Sequence, residues 1–100
     1  MYNQPLPPQQ QIQVKINDEV MKGSYANSMM VMHTKEEFIM DFISLVGNQG
    51  IVNARVITSP GHMKRILNAL KENVEKYENV FGKIVESEGP AGDIGFMAKQ

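Results

Sequence analysis

The fold is decided by residues 59–84, which have the sequence SPGHMKRILNALKENVEKYENVFGKI. Ser59 is a residue type that commonly caps a helix N-terminus, and Pro60 suits the first helical position, where no backbone N–H is needed. After these two residues, apolar side chains recur at alternating spacings of four and three up to Ile84. The pattern predicts one helix from Pro60 to Phe81, about 33 Å long, that ends or kinks at Gly82.

The apolar residues of this helix share one side, because spacings of four and three return to the same face. They are Met63, Leu67, Leu70, Val74, Tyr77, Phe81 and Ile84. Ile66 and Val80 widen this side enough to cover a sheet as well. A helix this long reaches beyond the sheet of so small a chain. We therefore expect Met63, Leu67, Leu70, Val74, Tyr77 and Phe81 to form an interface between copies of the protein.

The composition excludes several functional classes. The chain has 100 residues, with ten basic against eleven acidic residues, no cysteine and two histidines. Disulfides, thiolate zinc sites and cysteine nucleophiles are therefore excluded, and we expect no metal centre, cofactor or catalytic residue. The balanced charge disfavours nucleic-acid binding, since it provides no overall positive field. No apolar run approaches the ~20 residues of a membrane-spanning helix, and the N-terminus is unlike a signal peptide, so we expect a cytoplasmic protein without membrane contact.

The chain divides into one domain and two tails. Residues 1–11 are rich in proline and glutamine, and residues 87–100 are rich in glycine, so both are expected to be disordered. Within them, Pro5 to Pro8 and the pair Phe96-Met97 are weak candidates for docking on a partner. Residues 12–86 are expected to form a single domain. A core of that size rarely supplies more than ~3–5 kcal/mol, and oligomerisation is a common remedy where disulfides and metals are absent.

Four segments of this domain have the patterns of β-strands. Ile12–Ile16 alternates apolar and polar residues, and Tyr25 to Met32 is apolar on both faces at its C-terminal end. Residues 34–45 are ambiguous, since Thr34 and Glu37 match a helix capping box whereas the alternation from Phe38 onward favours a strand. We interpret them as the second half of a β-hairpin.

The last predicted strand runs from Ile51 to Thr58, after a loop at residues 47–50. The alternation places Val52, Ala54 and Val56 on one face of this strand, with Asn53 and Arg55 on the other. Together the segments predict an α+β domain, with a mostly antiparallel four-stranded sheet followed by one long C-terminal helix.

Asp41 is a carboxylate within an otherwise apolar segment. A buried carboxylate needs a partner, and Arg55 on the next strand is the natural one, so we expect a structural pair that fixes the strand register. Three carboxylates, those of Glu36, Glu37 and Asp41, lie within six residues of one another and raise the alternative of a metal or acid–base site. The opposite directions of Glu36 and Glu37 in a hairpin argue against that alternative.

Two further groups of residues suggest binding surfaces. Met29, Met30, Met32 and Met40 cluster in the first half of the chain, and methionine suits surfaces that accept varied partners, although it also fills cores and oligomer interfaces. His62, Lys64 and Arg65 lie near the start of the helix, where backbone N–H groups attract anions. This second group is a candidate site for phosphate or a nucleic-acid backbone, and a simple capped turn is the alternative.

Short motifs in both halves of the chain, within about residues 12 to 84, form a recognisable set. They are Tyr25-Ala26-Asn27, Thr34-Lys35-Glu36-Glu37-Phe38, Asp41-Phe42, Ala54-Arg55-Val56-Ile57, Ser59-Pro60-Gly61-His62, Lys64-Arg65, Leu70-Lys71-Glu72-Asn73, Glu75-Lys76-Tyr77-Glu78 and Phe81-Gly82. In these motifs the chain resembles a small bacterial and archaeal family of unknown function. The layout of that family is similar to the SecB-like export chaperones. This likeness implies dimers that pair into tetramers, with grooves that hold unfolded polypeptide.

The expected function is therefore that of a non-enzymatic oligomeric interaction protein. Its apolar, methionine-rich face is expected to bind a protein partner or an unfolded polypeptide, in a SecB-like manner. The alternative is a nucleic-acid-associated regulatory protein that uses the basic start of the C-terminal helix.

Overall fold

A computed structural model describes residues 11–90 together with Gly92 and Gly95. The elements in chain order are α1 (Asp18–Met21), β1 (Ser28–His33), β2 (Phe38–Val46), β3 (Gln49–Thr58) and α2 (Pro60–Phe81). The strands form one antiparallel sheet in the order β1-β2-β3, and the long helix α2 follows the last strand. The predicted α+β class, with an antiparallel sheet and a long C-terminal helix, is confirmed. The N-terminal tail up to residue 10 and Phe96-Met97 lie outside the described residues.

The turn between β1 and β2 settles the ambiguity of residues 34–45 in favour of a strand. Thr34 Oγ1 accepts hydrogen bonds from the backbone N–H groups of Glu36 (3.1 Å) and Glu37 (3.2 Å). The Thr34 N–H in turn donates to the Glu37 carbonyl oxygen (2.9 Å). Thr34 thus caps a tight hairpin turn with the same side-chain bonds that it would use to cap a helix. The predicted hairpin is confirmed.

The connection between β2 and β3 is shorter than the predicted loop. The turn occupies Gly47 and Asn48, and β3 already begins at Gln49. Gly47 has a φ of +62°, a left-handed conformation that glycine adopts at low cost. Gly50 lies directly opposite Leu45 in the ladder, and a Cβ at Gly50 would overlap the Leu45 side chain.

A β-bulge in β3 changes which side chains share a face. Phe42 is paired with Ala54, whereas the next residue, Ile43, is paired with Val52, so Asn53 is an extra residue in the strand. Val52 therefore lies on the opposite face from Ala54. The prediction that Val52, Ala54 and Val56 share one face is wrong, because one inserted residue reverses the alternation of everything before it.

The predicted fourth strand is not part of the sheet, which has three strands within the described residues. Ile12–Ile16 has no regular secondary structure, and its apolar side chains are exposed. A strand also needs a neighbour for its backbone N–H and C=O groups, and alternation of side chains does not supply one. After this segment, the chain turns into the short helix α1.

The helix α2 begins and ends where its sequence predicts. Ser59 Oγ accepts a hydrogen bond from the His62 N–H (3.2 Å), and Pro60 occupies the first helical position. Gly82 ends the helix with a φ of +97°. The bounds agree with the prediction because the signals that set them are local.

No residue of α2 is buried, and the core of the described chain is very small. Of the residues that the structure describes, only Met40, Asp41 and Ile43, all on the central strand β2, are buried. The expectation that Ile66 and Val80 would help α2 to cover the sheet is wrong for the single chain. Val80 is exposed, Ile66 is only partly buried, and α2 forms no substantial packing contact with any strand.

Candidate functional site

The three strands give the sheet two distinct faces, since residues directly opposite one another in a ladder share a face. We call one the Met40 face, and its rows are Met29–Phe42–Ala54, Val31–Met40–Val56 and His33–Phe38–Thr58. We call the other the Asp41 face, and its rows are Ser28–Ile43–Val52, Met30–Asp41–Arg55 and Met32–Ile39–Ile57. These rows of the Met40 face contain no Asp, Glu, Lys or Arg side chain. Both faces are mainly apolar.

The methionines predicted to form one binding surface are divided between the two faces. Met29 and Met40 lie on the Met40 face, whereas Met30 and Met32 lie on the Asp41 face. Met40 is buried, Met30 is partly buried, and Met29 and Met32 are exposed. The division follows from the alternation of a strand, because the neighbours Met29 and Met30 must point in opposite directions.

Aromatic and β-branched residues contribute as much to the Met40 face as methionine does. Val31 and Val56 flank Met40 in the same row, and both are exposed by more than two fifths. Phe38 and Phe42 lie in the adjacent rows and are partly buried. These residues are not among those predicted for the candidate surface. The period-two alternation of β2 identifies Phe38 and Phe42, and that of β1 places Val31 on the same face as Met29.

Asp41 and Arg55 form a two-point ion pair on the Asp41 face. Arg55 Nε donates to Asp41 Oδ1 at 2.7 Å, and Arg55 Nη2 donates to Asp41 Oδ2 at 2.8 Å. The two residues are direct partners in the ladder between β2 and β3. The Asp41 side chain is fully buried, whereas the Arg55 side chain is about half exposed. The pair thus joins β2 to β3 at one position of the ladder through two charge-assisted hydrogen bonds.

The electrostatics of this pair keep the Asp41 carboxylate charged. The hydrogen bonds from Arg55 lower the pKa of Asp41, burial opposes this by raising it, and the positive charge of Arg55 lowers it further. The same hydrogen bonds raise the pKa of Arg55. Both carboxylate oxygens are occupied, so Asp41 lacks the properties of a proton donor near neutral pH. Its chemistry is that of a structural anchor.

The apolar side of α2 is largely exposed. We call it the α2 stripe, and it consists of Met63, Leu67, Leu70, Val74, Tyr77 and Phe81. Within it, Leu70 is 60% exposed and Phe81 is 72% exposed. The Tyr77 and Phe81 rings contact each other, with centroids 4.9 Å apart, but this contact lies within the helix itself. Met63 is partly buried, and the other five side chains are exposed among the residues that the structure describes.

The candidate anion site at the start of α2 is spread around the helix. His62, Lys64 and Arg65 all lie in the first two turns and are exposed. Successive residues of a helix are rotated by about 100°, so Lys64 points well away from the direction of Arg65. The His62 N–H already donates to Ser59 Oγ. These groups resemble a normal capped helix start with solvated basic side chains.

The carboxylates considered for a metal site do not converge. Glu36 and Glu37 lie exposed in the hairpin turn, and Asp41 is bound to Arg55. Among the residues that the structure describes, no three His, Asp or Glu side chains are grouped so that they could hold a metal ion. The described helices include none with the length and apolarity needed to cross a membrane.

Comparison with known proteins identifies a family for the chain but no activity. No curated protein and no solved structure matches the chain. The SecB-like layout therefore stays a prediction. The model of a protein family described as "Protein of unknown function (DUF3467)" matches residues 2–86, which confirms the expected family of unknown function. With most of its length matched, the chain belongs to the DUF3467 family.

Proposed function

We propose that this protein is a cytoplasmic, non-enzymatic interaction module that works as an assembly of two or four copies. The copies associate through the α2 stripe, and an apolar sheet face binds a protein partner or an unfolded polypeptide, as in SecB-like chaperones. The observation that carries this proposal is the apolar surface that a single chain leaves uncovered on α2 and on the sheet. Monomeric proteins rarely expose apolar patches of this extent unless the patches bind something.

The Met40 face suits the binding of a peptide better than the Asp41 face does. Its three rows have no Asp, Glu, Lys or Arg side chain, whereas the centre of the Asp41 face holds an ion pair. Met29 is flexible and polarisable, and such side chains adapt to varied apolar partners. Val31 and Val56 provide exposed apolar area on either side of Met40. An unfolded segment with apolar side chains is a suitable ligand for this surface.

The first prediction concerns this face. Replacing Val31 by lysine places a charge in the middle row, so we expect binding of an unfolded polypeptide to weaken by about tenfold or more. The probe is a reduced, alkylated and fluorescently labelled polypeptide that cannot fold, and the measurement is its anisotropy on titration with the protein. Val85→Lys is the matched control, since Val85 is exposed and lies outside the sheet and α2. Saturable binding that Val31→Lys leaves unchanged, or the absence of binding by the wild type, contradicts the proposal.

The assembled protein is also proposed to contain the fourth strand. Asn27 continues the ladder with β2, since its N–H donates to the Ile43 carbonyl oxygen (3.0 Å). Two residues earlier, the Tyr25 carbonyl oxygen accepts a hydrogen bond from Asn53 Nδ2 (2.5 Å), and Asn53 belongs to β3. The chain that precedes β1 therefore approaches from the β3 side of the sheet. Ile12–Ile16 has the alternation to pair with the outer edge of β3, which has no partner in the described chain.

The second prediction tests this strand. If Ile12–Ile16 pairs with β3 in the assembly, its backbone amides should exchange with deuterium at least tenfold more slowly than those of an unstructured peptide. Asn53→Ala removes the hydrogen bond to Tyr25 and should reduce that protection. Amide exchange followed by mass spectrometry measures both proteins. Exchange of Ile12–Ile16 at the rate of an unstructured chain, in a sample shown to be oligomeric, contradicts a fourth strand.

A further inference from the structure

We infer that two copies of the chain pair through α2 in an antiparallel orientation, about a two-fold axis that lies on the apolar side of the helix at the level of Glu72. This inference rests on the proposed association through the α2 stripe, and it adds the identity of the partner and the direction of its helix. Two properties of α2 support it, which are the symmetry of the apolar pattern and the distribution of charge along the helix.

The apolar pattern is symmetric about Glu72. In an antiparallel pair of helices, each core layer pairs an a position of the heptad in one helix with a d position in the other. The α2 stripe provides three such pairs. The two residues of each pair are equally far from Glu72 in sequence, and symmetry makes each pair occur twice. The pairs are Met63 with Phe81 of the second copy, Leu67 with Tyr77 of the second copy, and Leu70 with Val74 of the second copy. All six residues of the stripe are then matched.

The positions beside the stripe match in the same alignment. On one side, Ile66 faces Val80 of the second copy, which extends the apolar contact, and Asn73 faces its own symmetry mate. On the other side, Lys64 faces Glu78 of the second copy. Flanking charges of this kind determine the partner and orientation of paired helices.

The Glu78 side chain is only about one fifth exposed, and one of its two oxygens has no close partner among the described residues. Glu78 Oε2 accepts a hydrogen bond from the Ile84 N–H (2.9 Å), and Oε1 lies 4.0 Å from Nζ of Lys83, a largely exposed side chain. Oε1 can therefore accept from Lys64 of the second copy. The alignment has one like-charge contact, in which Lys71 approaches its own symmetry mate beside the axis.

The charges of α2 are unequally divided between its halves. Residues 60–71 contain the basic residues Lys64, Arg65 and Lys71 and no carboxylate, whereas residues 72–81 contain three glutamates and one lysine. That lysine, Lys76, already pairs with Glu72 at 3.3 Å. An antiparallel pair places the basic half of each helix against the acidic half of the other, and it also opposes the helix dipoles. A parallel pair would place like charges and like dipole ends together.

A charge exchange tests the contact between Lys64 and Glu78, and it is the third prediction. Lys64→Glu and Glu78→Lys should each weaken association by about tenfold at low salt, because each creates two like-charge contacts in the symmetric dimer. The double variant should regain wild-type affinity to within about threefold. Lys35→Glu, in the exposed hairpin turn, controls for the change in net charge. Sedimentation equilibrium of the full chain measures the association. In a parallel pair the two positions lie about 21 Å apart along the axis, so a double variant weaker than either single one overturns the inference.

A distance measurement separates this inference from the proposed function. The chain has no cysteine, and a Cβ at Gly61 would contact none of the other described residues, so we expect a spin label on Gly61→Cys to be tolerated. Antiparallel pairing about Glu72 separates the two Gly61 positions by about 33 Å along the axis, whereas parallel pairing leaves them about 10 Å apart. A long distance from double electron–electron resonance supports the inference. A short distance in an oligomeric sample overturns the orientation and leaves the proposed association intact, and a monomeric mass overturns both.

Discussion

Replacing Leu70 by aspartate should convert the assembly into monomers. Leu70 lies in the middle of the α2 stripe and is 60% exposed in the single chain, so the change costs little within that chain. In the assembly, by contrast, the new carboxylate would be buried against apolar side chains without a partner. We expect the dissociation constant to rise by at least about a hundredfold, which corresponds to the several kcal/mol that an unpaired buried charge costs. Sedimentation velocity over a range of concentrations measures the change.

The matched control for this variant is Asn68→Asp on the same helix. Asn68 is exposed, lies away from the α2 stripe, and acquires the same charge on substitution. We expect Asn68→Asp to keep the wild-type mass, and circular dichroism should show the same helix content for both variants. A wild-type mass for Leu70→Asp would mean that the α2 stripe does not hold the assembly together.

Replacing Arg55 by alanine should give the largest loss of folding stability. The change leaves the fully buried Asp41 carboxylate without either of its hydrogen bonds. Removing one partner of a buried ion pair is strongly destabilising, since the remaining charge is uncompensated. We expect the melting temperature near neutral pH to fall by about 10 °C or more at equal protein concentration. Arg55→Lys keeps the charge but cannot form both hydrogen bonds in the same plane, so its melting temperature should lie in between.

The effect of Arg55→Ala should depend on pH. Arg55 lowers the pKa of Asp41 below the ordinary value of 3.8, so the folded state prefers the ionised carboxylate more than the unfolded state does. Stability from the pair is therefore fully present above about pH 4 and is lost as the pH falls through the lowered pKa. The difference in melting temperature between wild type and Arg55→Ala should shrink below that pH. A melting temperature within a few degrees of wild type near neutral pH would show that the pair does not stabilise the sheet.

The parts of this fold that were predicted from the sequence are those set by neighbouring residues. The bounds of α2 depend on Ser59, Pro60 and Gly82, which act within one helical turn. The hairpin after Thr34 was harder to predict, because the same hydroxyl bonds serve a helix cap and a tight turn. The strand-forming residues from Phe38 onward decided that case.

The parts that were not predicted depend on contacts between distant residues. The sequence does not predict the bulge at Asn53, since Val52 and Ala54 are both compatible with either face of a strand. Whether Ile12–Ile16 pairs as a strand depends on a free sheet edge, and the alternation of apolar and polar residues within the segment does not specify that edge. Proximity in sequence suggests that the methionines form one surface, whereas the alternation of β1 places Met29 and Met30 on opposite faces of the sheet. The partner of Asp41, by contrast, is predictable from the sequence. A carboxylate in an apolar strand needs an oppositely charged partner, and Arg55 lies directly opposite Asp41 in the ladder.

The most direct test of association through α2 is the mass of the wild-type chain in solution. Multi-angle light scattering should give at least twice the chain mass of 11.2 kDa at micromolar concentration. Together with a monomeric mass for Leu70→Asp, this result would show that another copy covers the α2 stripe. A mass of 11.2 kDa that persists as the concentration is raised would contradict the account, because the apolar side of α2 would then face water in the working protein.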